Sequence, residues 1–175
     1  MDFKMKTLKD YFEEEYEAYE EPADNKRGFK IKYKYVGPLY SFNLTKREVQ
    51  IIKMKMTLCL LISGVLVLAG SFQNREINYY SVSAALAAIS MATLLFEIIG
   101  VVGFLLKKEV IRKQDYNQLE FLLKIIPAIN ASLLIAAMIL GINKDAFVAI
   151  LYGASGGFSL GIIHVYKMIR YEKRW

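Results

Sequence analysis

The sequence predicts an all-α membrane protein: a four-transmembrane-helix bundle, built of two helical hairpins, behind a small N-terminal helix-plus-strand extension. Two observations predict it, namely long apolar stretches and cations gathered at alternate ends of those stretches. Hydrophobic residues make up 55% of the chain, yet nearly all the charge falls in residues 1–55, 107–124 and 164–175. Such segregation is typical of a chain whose middle is solvated by lipid rather than by water.

Four apolar stretches are long enough to cross a bilayer, and they must be helical because hydrocarbon offers an open backbone no hydrogen-bond partner. Their predicted bounds are about 56–72, 80–106, 121–141 and 146–169, with Pro127 interrupting the third. Thr45 and Glu48 have the spacing of a capping box, which predicts a helix that continues into the first span. Residues 1–45 then form a cytosolic N-terminal segment and residues 46–175 the transmembrane domain.

Cations beside the spans predict the orientation. Four lysines or arginines flank the first span on its N-terminal side, four lie in the connector between spans two and three, and four lie in the tail, against one in each other loop. The positive-inside rule therefore places both termini and the central connector in the cytoplasm. We expect a multi-pass protein in contact with the lipid bilayer of a cell membrane. Lysine outnumbers arginine, as is typical of proteins from AT-rich genomes. This favours a bacterium, and therefore a bacterial cytoplasmic membrane.

The N-terminal segment has two predicted elements. Residues 7–21 place aromatic side chains near helical spacing among many glutamates, which predicts an amphipathic helix. Residues 29–36 alternate apolar side chains with Lys30, Lys32 and Lys34, which predicts a strand with one lysine face. Three roles stay open for this segment: a lid on the inner membrane surface, a docking site for a partner protein, and a contact of the lysines with anionic lipid headgroups.

Glu97 is the most informative residue inside a predicted span. Counted back from the end of the second span, it lies about 13 Å from the boundary. An ionised carboxylate at that depth costs several kcal/mol unless it faces the bundle, finds a partner or is protonated. Asn130 and Lys124 on the third span complete a predicted polar cluster. Two interpretations stay open: a clasp that fixes helix register, and a proton- or cation-linked site.

Small residues form the most regular pattern of the fourth span. They recur every four positions, at Ala149, Gly153, Gly157 and Gly161. A third-span stripe, Ala128, Ser132 and Ala136, has the same spacing. Small side chains let another helix approach closely, which favours helix association in lipid. The partner helix belongs either to the same bundle or to another subunit.

The segment Gly153-Ala154-Ser155-Gly156-Gly157 has the form G-x-S-x-G and resembles the serine motif of rhomboid intramembrane proteases over about ten residues. The resemblance implies a serine nucleophile, which needs a base within hydrogen-bond reach. His164, the only histidine, is nine residues along the same predicted helix, or about 13 Å along its axis. It cannot reach Ser155 in its own chain, so we expect no protease activity.

The leading functional hypothesis is a non-enzymatic polytopic membrane protein that acts through helix association, as an accessory or regulatory subunit of a larger membrane complex. Its partner would be another membrane protein or a second copy. One cysteine and one histidine predict no metal site and no cofactor, and no nucleic-acid motif accompanies the lysines. The alternative is a small homo-oligomeric transporter, coupled to protons or cations through Glu97.

Overall fold

The computed structural model describes residues 15–22, 29–73, 76–79, 81–107, 110–169 and 171–174. Its helices are α1 (Lys46–Ser71), α2 (Glu76–Tyr79), α3 (Ser81–Leu106), α4 (Lys113–Glu120), α5 (Ile126–Gly141) and α6 (Ala146–Lys167). Its strands are β1 (Tyr16–Pro22), β2 (Phe29–Tyr35), β3 (Leu39–Phe42), β4 (Val110–Arg112) and β5 (Tyr171–Arg174). Within these residues, four helices are long and apolar enough to cross a membrane, as predicted.

The first span starts well before its apolar stretch because a capping box fixes its N-terminus. The Thr45 hydroxyl accepts from the backbone N–H of Glu48 at 3.3 Å, and the Glu48 carboxylate accepts from the backbone N–H of Thr45 at 2.8 Å. The two contacts satisfy donors that an uncapped helix would leave open. α1 therefore begins at Lys46, about ten residues before the predicted bound of the span.

The third span is one continuous helix from Lys113 to Gly141, although Pro127 was expected to interrupt it. A π-helical turn, Phe121–Ile125, joins α4 to α5 just before the proline. Proline lacks an N–H, and its ring clashes with the carbonyl four residues earlier in a regular helix. The wider turn, in which the Ile126 N–H donates to the Phe121 carbonyl, absorbs this misfit without breaking the helix.

Packing of the four long helices is uneven. α6 packs extensively against α1 and α5, and α3 packs mainly against α5. Of the neighbouring pairs, α1 and α3 have the least contact, so a seam runs between them. Close approach of α6 to α5 depends on Gly156, where an added Cβ would lie 3.2 Å from the Ala131 carbonyl oxygen.

The predicted helix over residues 7–21 is wrong where the structure describes it. Residues 7–14 lie outside the described part, but Tyr16–Pro22 forms strand β1, antiparallel to the correctly predicted strand β2. A helix would set Glu13 and Glu17 four residues apart, and like charges at that spacing repel. In the hairpin Glu17 lies opposite Lys34 and Glu21 opposite Lys30, so each acid gains a base across the ladder.

A second sheet joins three segments that are distant in the sequence. β3, which precedes α1, is its central strand; it pairs with β4 from the connector and with β5 from the tail, both antiparallel. The N-terminal segment, the connector and the tail therefore meet at one end of the bundle, which we call the sheet end. This arrangement also ties the N-terminal segment to the transmembrane domain.

An aromatic cluster lies between this second sheet and the helices. Tyr40 stacks on Tyr116 with ring centroids 4.4 Å apart, and Tyr116 meets Tyr171 edge-on at 4.8 Å. Phe42 contacts Phe104 at 5.9 Å, which links β3 to the end of α3. Aromatic pairs of this geometry contribute about 0.5–1.5 kcal/mol each beyond their buried area. The cluster holds the sheet against the bundle.

Candidate functional site

Glu97 lies at the centre of the bundle and is fully buried. Its Oε1 accepts a hydrogen bond from Asn130 Nδ2 at 2.8 Å, and its Oε2 accepts one from Ser159 Oγ at 3.3 Å. The carboxylate thus receives donors from α5 and α6, the two helices that lie on either side of it. Both oxygens of the one acidic side chain described within the apolar part of the spans are satisfied inside the protein.

Asn130 is the node that connects Glu97 to the rest of the polar groups. Besides donating to Glu97, its Nδ2 lies 3.1 Å from Ser159 Oγ. Its Oδ1 accepts from Thr93 Oγ1 at 2.8 Å. The Ser90 carbonyl also lies 2.8 Å from this hydroxyl, whose single hydrogen serves one acceptor at a time. Every polar atom of the Asn130 amide therefore has a partner, as a buried amide requires.

Three serines connect Glu97 and Asn130 to α1. Ser159 Oγ lies 3.2 Å from Ser63 Oγ, and Ser63 Oγ lies 2.9 Å from Ser155 Oγ. Ser155 also donates to the Ser63 backbone carbonyl at 2.9 Å. All three are fully buried. We call the six connected residues the buried polar network: Ser63, Thr93, Glu97, Asn130, Ser155 and Ser159. It draws at least one side chain from each long helix.

Of the predicted polar cluster, the structure brings Glu97 and Asn130 together and places Lys124 elsewhere. Lys124 pairs with Glu120 one turn earlier on the same helix. Its ammonium lies 5.7 Å from the centre of the Tyr166 ring, a cation–π distance. Lys124 therefore belongs to the sheet end. The described partners of Glu97 are an amide and a hydroxyl, and neither carries a charge.

Ser63 and Ser159 are the serines of this network that sequence reasoning missed, and Ser155 was considered only as part of the G-x-S-x-G segment. Serine is common in transmembrane helices, and a lone serine predicts nothing. The available signal was spacing: Ser155 and Ser159 are four residues apart on the face of α6 that also carries the buried Tyr152 and Ile162. Ser155, the residue of the rhomboid-like motif, binds another serine, while the exposed His164 lies at the far end of the same helix.

The residues of the predicted small-residue stripe of α6 do not all face the same neighbouring helix. A Cβ added at Gly153 would collide with Met138 of α5, and one at Gly161 would lie 3.2 Å from Cys59 of α1, while Ala149 is buried. At Gly157, nothing lies within 4 Å of an added Cβ. A four-residue repeat drifts around a helix of 3.6 residues per turn, which explains the change of neighbour. Gly157 faces outward.

The stripe of α5 also faces outward. Ala128, Ser132 and Ala136 line an apolar groove of about 380 Å³ on the surface of the helix, with larger side chains beside them. The Ser132 hydroxyl donates to the Ala128 carbonyl of its own helix at 2.8 Å, so the groove shows no open polar group there. Its shape suits another helix rather than a polar ligand.

The lysine face of the β1–β2 hairpin is not a free cationic surface. Glu17 and Glu21 share this face with Lys30, Lys32 and Lys34, and Lys32 forms an ion pair with Glu21. Across the sheet, the opposite face presents mostly apolar side chains, with Glu20 opposite Ile31. Ile31 and Tyr33 on that face are 52% and 57% exposed. The hairpin therefore has one face of mixed charge and one mostly apolar face.

The base of the hairpin is fixed to the connector. Lys113 Nζ lies 2.9 Å from Glu15 Oε1, and the Lys113 backbone N–H donates to the Tyr35 hydroxyl at 3.2 Å. That hydroxyl donates to the Pro38 carbonyl at 3.0 Å, and Arg112 lies over the Tyr35 ring at 5.3 Å. Burial raises the pKa of Tyr35 above its ordinary value, which keeps this donor protonated. All of these contacts lie at one end of the hairpin.

In the part of the chain that the structure describes, no three histidine, cysteine, aspartate or glutamate side chains are placed to hold a metal ion. Comparison of the chain with protein-family models, with curated proteins and with solved structures gives no match.

Proposed function

We propose that this chain is a non-enzymatic accessory or regulatory subunit of a larger membrane complex, with both termini in the cytoplasm. The cations near the sheet end support that orientation through the positive-inside rule. The observation that carries the proposal is the β1–β2 hairpin: two strands, held at the base, with an exposed and mostly apolar face and, among the described residues, no third strand paired to either edge. Isolated two-stranded hairpins are marginally stable in water, and open edges are templates for another strand.

The partner we infer is an extended segment of another membrane protein, in which acidic residues alternate with apolar ones. β1 shows what β2 accepts: Glu17 and Glu21 lie opposite its lysines and Ala18 lies opposite Tyr33, while Tyr19 and Glu20 lie opposite Lys32 and Ile31. A strand that alternates acidic with apolar residues would add to the other edge of β2 by the pairing of Glu17 and Glu21. A second copy of β2 added there with its lysine face on the same side would place lysines against lysines, which favours a different chain.

Helix contacts inside the bilayer would complete the interface. Gly157 and the exposed Ala154 give the outer face of α6 a smooth patch, and α5 carries its outward groove. Acyl chains are as apolar as the side chains, so the hydrophobic effect does not bring helices together in lipid. Helices there associate through close approach of their backbones instead. The hairpin would then select the partner, and the helix patch would strengthen the complex.

The test is extraction of the full chain in a mild detergent, followed by sizing and identification of everything that co-purifies. We expect a stoichiometric foreign membrane protein that is lost with Ile31→Ser and with Lys30→Glu, which sets a like charge against the acids of the partner strand. Lys55→Ser, at an exposed lysine of α1 outside the hairpin, should retain the partner. Gly157→Leu adds a side chain into open space, so it should leave the fold intact and reduce the bound partner. A chain that purifies alone, or partner loss with Lys55→Ser but not with Ile31→Ser, would refute the proposal.

The second candidate is a homo-oligomeric proton- or cation-coupled transporter, favoured by the full burial of Glu97 at the centre of the bundle. Glu97→Gln separates the two proposals. Glutamine keeps an acceptor for Asn130 and a polar group for Ser159, so a structural clasp would survive with little loss of stability. A transporter would keep its assembly and lose pH-driven flux in liposomes. Equal flux in both forms, or none in either, would exclude coupling through Glu97.

A further inference from the structure

A basic cavity opens at the sheet end, beside the first two turns of α1. Its volume is about 550 Å³, and its lining combines three lysines with apolar and polar side chains: Phe42, Leu44, Thr45, Lys46, Val49, Gln50, Lys53 and Lys107. It lies between the start of α1 and the end of α3. The lysines come from both sides of the seam between α1 and α3.

Lys53 fixes the depth of this cavity. Its ammonium donates to the Leu105 carbonyl at 2.7 Å and lies 5.7 Å from the centre of the Phe104 ring. Leu105 is next to the last residue of α3, where carbonyls lack helical partners. The charge therefore sits where the apolar part of both helices ends, at the level of lipid headgroups.

Among the described residues, two carboxylates lie beside the three lysines of this cavity. Lys107 pairs with Asp115 at 2.6 Å, and Glu48 binds the Thr45 backbone at the rim. The lining combines ammonium groups with an apolar wall. A phosphodiester that carries acyl chains can meet both, whereas a soluble phosphate meets only the ammonium groups.

We propose that this cavity binds an anionic phospholipid, with the phosphodiester near Lys53 and Lys107. The apolar wall of Phe42, Leu44 and Val49 would receive the glycerol region, and the acyl chains would continue along the seam between α1 and α3. Basic pockets between transmembrane helices on the cytoplasmic side are suited to such headgroups. The site is distinct from the lysine face of the hairpin, where the glutamates offset the lysines.

The test uses the full chain purified in a non-ionic detergent and titrated with phosphatidylglycerol or phosphatidylcholine. Native mass spectrometry would follow retained lipid, and thermal unfolding would follow stabilisation. We expect phosphatidylglycerol alone to be retained and to raise the Tm. Lys46→Gln and Lys53→Gln should each weaken retention about fivefold, as expected for one cation at an anionic surface. Lys55→Gln, two residues from Lys53 but outside the cavity lining, should not.

Lys53→Arg keeps the charge and should keep the lipid, which separates loss of binding from loss of fold. Glycerol 3-phosphate supplies the phosphate without acyl chains, and we expect it neither to stabilise the chain nor to displace phosphatidylglycerol. Displacement by glycerol 3-phosphate would overturn the lipid assignment. Equal retention of the two phospholipids, or an equal loss with Lys55→Gln, would overturn the site.

Discussion

Replacing Asn130 with alanine tests whether the buried polar network holds the four helices together. The change removes the donor to Glu97 Oε1, the acceptor for Thr93 and the contact with Ser159. Hydrogen bonds between transmembrane helices contribute about 0.6 kcal/mol each on average. Three of them give about 2 kcal/mol. The carboxylate oxygen left without a partner adds about 1–3 kcal/mol. We expect Asn130→Ala to destabilise the protein by about 3–5 kcal/mol.

The larger part of that loss depends on the carboxylate, and a double-mutant cycle isolates it. Glu97→Met replaces the acid with an apolar side chain of similar length, so no carboxylate is left unpaired when Asn130 is also changed. In that background we expect Asn130→Ala to cost about 1.5–3.5 kcal/mol less. The assay is reversible unfolding in mixed micelles, with the fraction of denaturing detergent increased stepwise and helix content followed by circular dichroism.

Ser132→Ala is the matched control, since Ser132 lies two residues away on the outer face of the same helix and bonds only its own helix backbone at Ala128. We expect a change within about 0.5 kcal/mol, as for a surface substitution. If the costs of Asn130→Ala and Glu97→Met add within about 0.5 kcal/mol, the two side chains are not coupled. The inferred clasp would then be wrong.

Three further outcomes follow from the geometry. Gly156→Ala should destabilise by about 1–3 kcal/mol because its methyl group would press on a backbone carbonyl of the neighbouring span. Gly157→Ala, whose methyl group would meet no neighbour, should unfold at the same detergent fraction as the native chain or at a higher one. Lys113→Met removes the ion pair at the base of the hairpin, so hydrogen exchange in β1 and β2 should accelerate while the spans are unaffected. Glu21 raises the pKa of Lys32 above 10.5. Their ion pair should therefore contribute fully to the stability of the hairpin at neutral pH, and this contribution should be lost as the pH rises through the raised pKa. The measurement is hydrogen exchange in the hairpin of the native chain, compared with that of Lys32→Met.

Some of the fold could be predicted because lipid imposes simple requirements. A spanning segment must be long, apolar and helical, so four spans could be located from composition alone. The joining of Glu97 to Asn130 could be predicted from depth, because a polar group far from water needs a partner at the same level. Lys124 could not be placed the same way. A flexible side chain near the boundary has closer partners, and Glu120 lies one helical turn away.

The error at residues 16–21 has a different origin. Its aromatic residues fit helical spacing only loosely. No property of the segment alone shows that it will pair in register with the lysine-rich strand Phe29–Tyr35. Pairing with Lys30 and Lys34 is a tertiary effect, and it overrides local pattern. The second sheet was missed for the same reason. β3, β4 and β5 have three or four residues each, too few for an alternating pattern to stand out.

Two sets of contacts hold the helices of this protein together, the buried polar network and the sheet of β3, β4 and β5. They lie at different depths, which limits the surfaces that are left for a partner. Spans in lipid gain nothing from apolar contact that the acyl chains do not also offer, so their arrangement needs specific contacts. The buried polar network supplies these at mid-bundle, and the sheet of β3, β4 and β5 supplies them at one end by tying together the segments that flank α1, α3 and α6. The hairpin, the outward groove of α5 and Gly157 take part in neither of these two sets of contacts. These outward surfaces are therefore the ones that can change with a partner while the fold stays the same, and they are where the association we propose would take place.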